Sequence, residues 1–173
     1  VRRENCRKGN TAVHYMPLDS VGRAQGVIAC LTAGAFNYTD KDGSKVLNTP
    51  PTEITGSNAP WPPSAPGFRD SVPPGFKLGN KPTMNRGHLL ARQLGGSGTD
   101  RRNLVPLYRA ANSPEMPGAE QKIANSIATG NTVYYSSSSI YESENNPIPL
   151  GVTMTAFTST GSQIVNQTIW NRP

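Results

Sequence analysis

Apolar and polar positions alternate with two different periods along this chain, and the change of period marks out its elements. GVIACL, residues 26–31, is a short and nearly continuous apolar run of one strand's length, inside a longer stretch of strand character at 21–39. Toward the other end, NTVYYSSSSIYE, GVTMTAFTST and VNQTIWN carry alternating, β-branched and aromatic residues. They predict three strands of an antiparallel sheet. The serines at 136–139 belong to the first of these, because tyrosines and alternation flank them. In AEQKIANSIATG the period changes. Ala119, Ile123 and Ile127 recur every four residues, the spacing of one helix face, and Gly130 supplies a stop.

Between these regions, residues 85–112 gather a histidine, several arginines and asparagines among short apolar runs. TMNRGHLLA predicts a strand leading into His88. Gly95, Gly96, Ser97, Gly98, Thr99 and Asp100 predict a turn, and NLVPLY a second strand, so the pair reads as an irregular hairpin ahead of the helix. Pro114 and Pro117 stand just before the periodic stretch, and proline removes a backbone donor, so Asn112 is expected to precede the regular helix. Asp-Lys-Asp-Gly at residues 40–43 predicts a turn. Residues 48–82 carry nine of the 16 prolines, which forbids regular helix or central strand. Trp61, Phe68 and Phe76 give that segment something to bury, so it reads as a long loop wrapped over the body and not as a linker between two domains.

Charge and cysteine content narrow the picture. At 173 residues the chain is most economically one domain. Lys+Arg 17 against Asp+Glu 11 gives a net charge of +6, which favours polyanionic partners. The N-terminal VRRENCRKGN is polar and basic, unlike a signal peptide, and no run approaches a membrane span, so no membrane partner is expected. Cys6 and Cys30 lack metal-ligand spacing; a disulfide between them would close a loop of 24 residues and stabilise by roughly 3 kcal/mol. It would anchor the N-terminal arm to the strand at 26–31 and imply an oxidising compartment, as for the mature part of a secreted protein. A zinc site built on Cys6, Cys30 and His14 lacks a fourth ligand, and His14 reads as structural.

Asn85-Arg86-Gly87-His88, then Asn103-Leu104-Val105-Pro106, then Asn112 and Glu120, resemble the DNA/RNA non-specific endonucleases of the ββα-metal (His-Me finger) superfamily, secreted bacterial type. The resemblance covers about residues 81–135; Asn85 stands where an aspartate is common, a variant also familiar in secreted relatives. It implies an α+β fold, a ββα-metal finger packed on a mainly antiparallel sheet with a long Pro-rich loop. It also implies one nuclease domain over residues 1–173 with its finger core at about 81–130.

The chemistry asks for the same residue types. Phosphodiester hydrolysis needs an activated water, a cation against the gathering charge, and donors that hold the phosphate in line. His88 suits the general base, since imidazole titrates near physiological pH. By resemblance, Asn112 is the direct ligand of a divalent ion, magnesium or else manganese, with Glu120 holding metal-bound waters. Arg86 then contacts the scissile phosphate, and Asn103 orients the finger or the metal site. Plainer uses stand beside these: Asn103 as a turn residue, Asn112 as a helix cap, Glu120 as a solvated helix residue.

Arg92, Arg101, Arg102 and Arg109 would bind nucleic acid, although charged surface is the plainer reading of Arg101 and Arg102. Arg23 and Arg69 are both candidates for a phosphate contact upstream of the motif. No Walker loop, GxSxG elbow or HExxH helix occurs, which removes nucleotide hydrolysis, serine esterase and zincin chemistry. The expected activity is metal-dependent endonucleolytic cleavage of DNA and RNA with little sequence preference, leaving 5′ phosphates. Two other classes remain open: an interbacterial toxin domain with a proteinaceous inhibitor as partner, and a binding module without catalysis.

Overall fold

A sheet with one dry face needs residues that alternate between burial and exposure, and the strands after the finger region supply them. The computed structural model describes residues 6, 12–32, 38–39, 45–46, 77–78, 81–82, 84–91, 94–97, 100–108, 116–143 and 148–172. In chain order, β1 (Ala12–Tyr15) and β2 (Gly26–Leu31) come first. The two-residue strands β3 (Tyr38–Thr39) and β4 (Lys45–Val46) pair with each other, as do β5 (Lys77–Leu78) and β6 (Lys81–Pro82). Then come β7 (Met84–His88), a 3-10 turn at Arg101–Asn103, β8 (Leu104–Tyr108) and the helix α1 (Met116–Ala128). The strands β9 (Val133–Ile140), β10 (Gly151–Thr158) and β11 (Gln163–Trp170) follow.

Five strands form one antiparallel sheet in the order β1-β2-β9-β10-β11, and β7 pairs with β8 in a separate ladder. The fold is α+β, as expected. The expected strand at 26–31, the hairpin, the helix and the last three strands all occur, the serine run included. The expected turn at 40–43 and most of the Pro-rich segment, with Trp61, Phe68, Arg69 and Phe76, lie outside the described residues.

The sheet buries one face under the finger. Along β9, Val133, Tyr135 and Ser137 are buried while Ser138 is exposed, a period of two that fixes which face is dry. Onto that face pack Leu89, Leu90, Leu94, Val105 and Leu107 of the finger with Ala119, Ile123 and Ile127 of α1. Each fully buried aliphatic side chain contributes about 1.5 to 3 kcal/mol, so this contact holds the finger to the sheet.

Helix α1 begins at Met116, which puts Pro117 in its first turn, where a backbone N–H has no intrahelical partner to lose. It ends in a Schellman turn: Gly130 takes φ 98°, its N–H donates to Ile127 O, and the Asn131 N–H donates to Ser126 O. Cys6 and Cys30 are joined with Cα atoms 5.4 Å apart, both buried, which ties residue 6 to β2. No helix among the described residues is long and apolar enough to cross a membrane.

Candidate active site

The finger is a two-stranded ladder with His88 at the end of β7, opposite Leu104 at the start of β8. Gly87 is required by that pairing. A Cβ there would lie 2.3 Å from Leu107 Cδ1, and Leu107 is fully buried. Beyond His88 the chain turns through residues 89–97. Gly96 N–H donates to Ala91 O at 2.9 Å, and a Cβ on Gly96 would sit 1.7 Å from the Leu90 carbonyl oxygen, so only glycine closes this turn.

One side chain organises the turn from within. Asn103 is fully buried; its Oδ1 accepts from Leu90 N–H at 2.8 Å, and its Nδ2 donates to Leu90 O at 3.0 Å and Ser97 O at 2.7 Å. Its backbone oxygen accepts from Leu89 N–H at 2.9 Å. Asn103 therefore clamps the segment that follows His88, and it does so from a turn position.

The finger is also tied to the sheet at three points. The Tyr135 hydroxyl of β9 donates to the Leu89 carbonyl. The Tyr15 hydroxyl of β1 accepts from Ser97 N–H at 2.8 Å. Just past β11, Asn171 accepts from Tyr108 N–H at 2.7 Å and donates to Pro106 O at 3.1 Å and Pro149 O at 2.9 Å, clipping the outer edge of β8. Tyr15, Tyr135 and Asn171 went unnoticed in the sequence. The one signal was the tyrosine flanking the serine run at a core-facing position.

His88 is half-buried. Glu120 lies in the first half of α1, also half-buried, and burial pushes its carboxyl up from the ordinary 4.5 to about 7. No ion pair to Glu120 occurs among the described residues. The charged form is therefore disfavoured in the fold, and the stability Glu120 contributes is fully present below about pH 4.5 and lost as pH rises through about 7. Glu120→Gln cannot ionise. In the presence of a chelator it is expected to melt several degrees above the parent protein at about pH 8, the gap closing toward about pH 4.5, as read by thermal melts across pH.

The arginines divide. Arg102 is exposed and paired with Asp100 at 2.6 Å, with its guanidinium carbon 5.4 Å from the centre of the Tyr15 ring. The hydrogen bonds from Arg102 hold the Asp100 carboxyl below its usual range. Arg101 is half-buried beside it. Arg23 is drawn into the interior: it pairs with Asp19 at 2.8 Å, donates to the Ser143 carbonyl, and lies 4.0 Å from the Tyr141 ring centre, a structural use of that residue. Arg86 contributes its backbone to β7 opposite Pro106, and its side chain lies outside the described set. Asn112, Arg92 and Arg109 also lie outside the described residues.

The fit to a cation rests on Glu120, a desolvated carboxylate whose charge a nearby divalent ion would offset. Among the described residues no three of His, Cys, Asp and Glu cluster as a ligand set.

A family model for DNA/RNA non-specific endonucleases matches residues 52–159, most of the chain and all of the finger. The chain belongs to this family. The nuclease superposes on NucA from Streptococcus agalactiae with magnesium bound at TM-score 0.71 and 16% identity, covering 96% of this chain and 74% of that one. It superposes on Sda1 nuclease with bound zinc at 0.62 and 20% identity, covering 93% and 75%. An extracellular endonuclease aligns at 0.60 and 17% identity, covering 96% and 81%. No match is found among curated proteins. At these identities the superpositions establish the nuclease's fold, the ββα-metal finger on an antiparallel sheet.

Proposed function

We propose that the nuclease cuts DNA and RNA without sequence preference, with His88 as general base and a divalent cation, magnesium by preference and manganese as a substitute, held at Asn112. The observation that carries this reading is the packing of two elements into one core. Leu89 and Leu90, which follow His88, lie in the same buried cluster as Ala119 and Ile123, which stand on either side of Glu120 along α1. The turn bearing the candidate base and the helix bearing the candidate metal-side carboxylate thus share one core.

In this mechanism His88 takes a proton from water as the oxygen attacks phosphorus in line with the departing 3′ oxygen, which leaves a 5′ phosphate on the product. Arg86, two positions before His88 on β7, donates to the scissile phosphate through a planar, permanently charged group. Asn112 would hold the cation, and Glu120 would orient the water around it. When bound, the cation supplies positive charge to the phosphate and the leaving oxygen. Arg92, Arg101, Arg102 and Arg109 attract the backbone, and backbone contacts position a substrate without reading its bases.

The whole of residues 1–173 acts as one nuclease domain in this reading. It works outside the cell, a location supported by the Cys6–Cys30 bridge and by the likeness to extracellular nucleases. Purified protein with magnesium is expected to nick supercoiled plasmid and then degrade it, and EDTA is expected to abolish both. Plasmid that is bound yet uncut across several divalent ions would overturn the reading.

A further inference from the structure

We propose that Tyr135 is a positioning residue of the nuclease: its hydroxyl holds the Leu89 carbonyl and so fixes, relative to the sheet, the turn that carries His88. The inference rests on the reading of His88 as the base. It starts from the backbone groups just after His88. Leu89 N–H, Leu90 N–H and Leu90 C=O are all bound by Asn103, which belongs to the finger itself. Those bonds give the turn its shape but do not locate it on the body of the protein. The Leu89 carbonyl is held from outside, by Tyr135 of β9. This bond joins finger to sheet one residue beyond His88 in sequence.

The room for Tyr135 is built into the sheet. In its rung, Tyr135 stands between Ala29 of β2 and Ala156 of β10, both fully buried. Two small neighbours let the ring rise from the middle of the sheet to meet the finger, and Tyr135 is itself buried. The phenol also stays a donor. Burial keeps the proton on the oxygen. A misplacement of about 1 Å at a catalytic group costs on the order of 10²-fold in rate, so a bond that anchors the base to its frame acts on turnover more than on substrate binding.

The test is Tyr135→Phe, which keeps the ring and removes the donor, assayed on DNA with saturating magnesium. Ile169→Val, in the core of β11 and part of none of the hydrogen bonds that tie the finger to the sheet described above, serves as a control of comparable destabilisation. Expected is a folded variant whose kcat falls about 10- to 100-fold with KM within about twofold of the parent, while Ile169→Val keeps its kcat. Unchanged kcat in Tyr135→Phe would overturn the proposal, as would an equal fall in both variants. Loss of the fold in place of loss of turnover would make the hydroxyl a general stabiliser and overturn it too. His88→Ala run alongside separates the two ideas: an inactive His88→Ala with a fully active Tyr135→Phe sinks this inference alone, whereas an active His88→Ala sinks the assignment of the base.

Discussion

His88→Ala is expected to lower turnover on plasmid DNA by about 10²- to 10⁴-fold, the range lost when a positioned general base is removed. The protein should remain folded. His88 sits at the end of β7 and is only half-buried, whereas the neighbouring Leu89 and Leu90 are fully buried and carry the packing onto the sheet. Loss confined to kcat, with plasmid affinity near that of the parent, would mark an interaction made in the transition state and not in substrate binding. Added imidazole should return part of the activity, because the missing group is a base of that chemistry. A His88→Ala protein within about tenfold of the parent would assign the proton transfer elsewhere.

Asn103→Leu should be the most damaging change to the finger itself. It removes a donor and an acceptor from a fully buried position and leaves Leu90 N–H, Leu90 C=O and Ser97 C=O without the partners they have now. An unsatisfied buried polar group costs about 1 to 3 kcal/mol, so three such groups reach several kcal/mol, a large part of the stability of an ordinary domain. Activity and melting temperature should fall together. Asn103→Asp should be nearly as poor, since a carboxylate can still accept from Leu90 N–H but meets two carbonyl oxygens where it formerly donated. Thermal melts and plasmid assays on both variants check this. A stable, active Asn103→Leu protein would show that the clamp is dispensable.

Much of this architecture could be read from the sequence because its elements announce themselves locally. The four-residue spacing of Ala119, Ile123 and Ile127 marks the buried face of α1, and the glycine at 130 marks its end, both of which the fold uses as expected. The strands around the serine run were legible from alternation. Pairing was not. That β9 lies between β2 and β10 depends on contacts between distant parts of the chain, and β1 is only four residues long, too short to stand out.

The same holds for the site. The residue types at 86, 88, 103 and 120 suggest chemistry, but a sequence cannot tell a turn asparagine from a clamp, and Asn103 proves to serve as both. Arg23 reads in the sequence as a candidate for a phosphate contact, whereas the fold buries it against the Asp19 carboxylate. Tyr135 had no motif to single it out. Its role comes from two alanines in neighbouring strands that leave space for a ring, a relation invisible along one chain.

The sheet draws its strands from both sides of the finger in sequence: β2 comes before the His88 hairpin, and β9, which pairs with β2, comes after it. A chain emerging from its N-terminus therefore presents the hairpin before the surface that seats it has been made. Until β9 joins β2, Leu89, Leu90 and Leu107 have no sheet to cover and the Leu89 carbonyl has no phenol to meet. Long-range pairings of this kind close late. The order of the strands thus makes the seating of the hairpin wait on the strands that come after it.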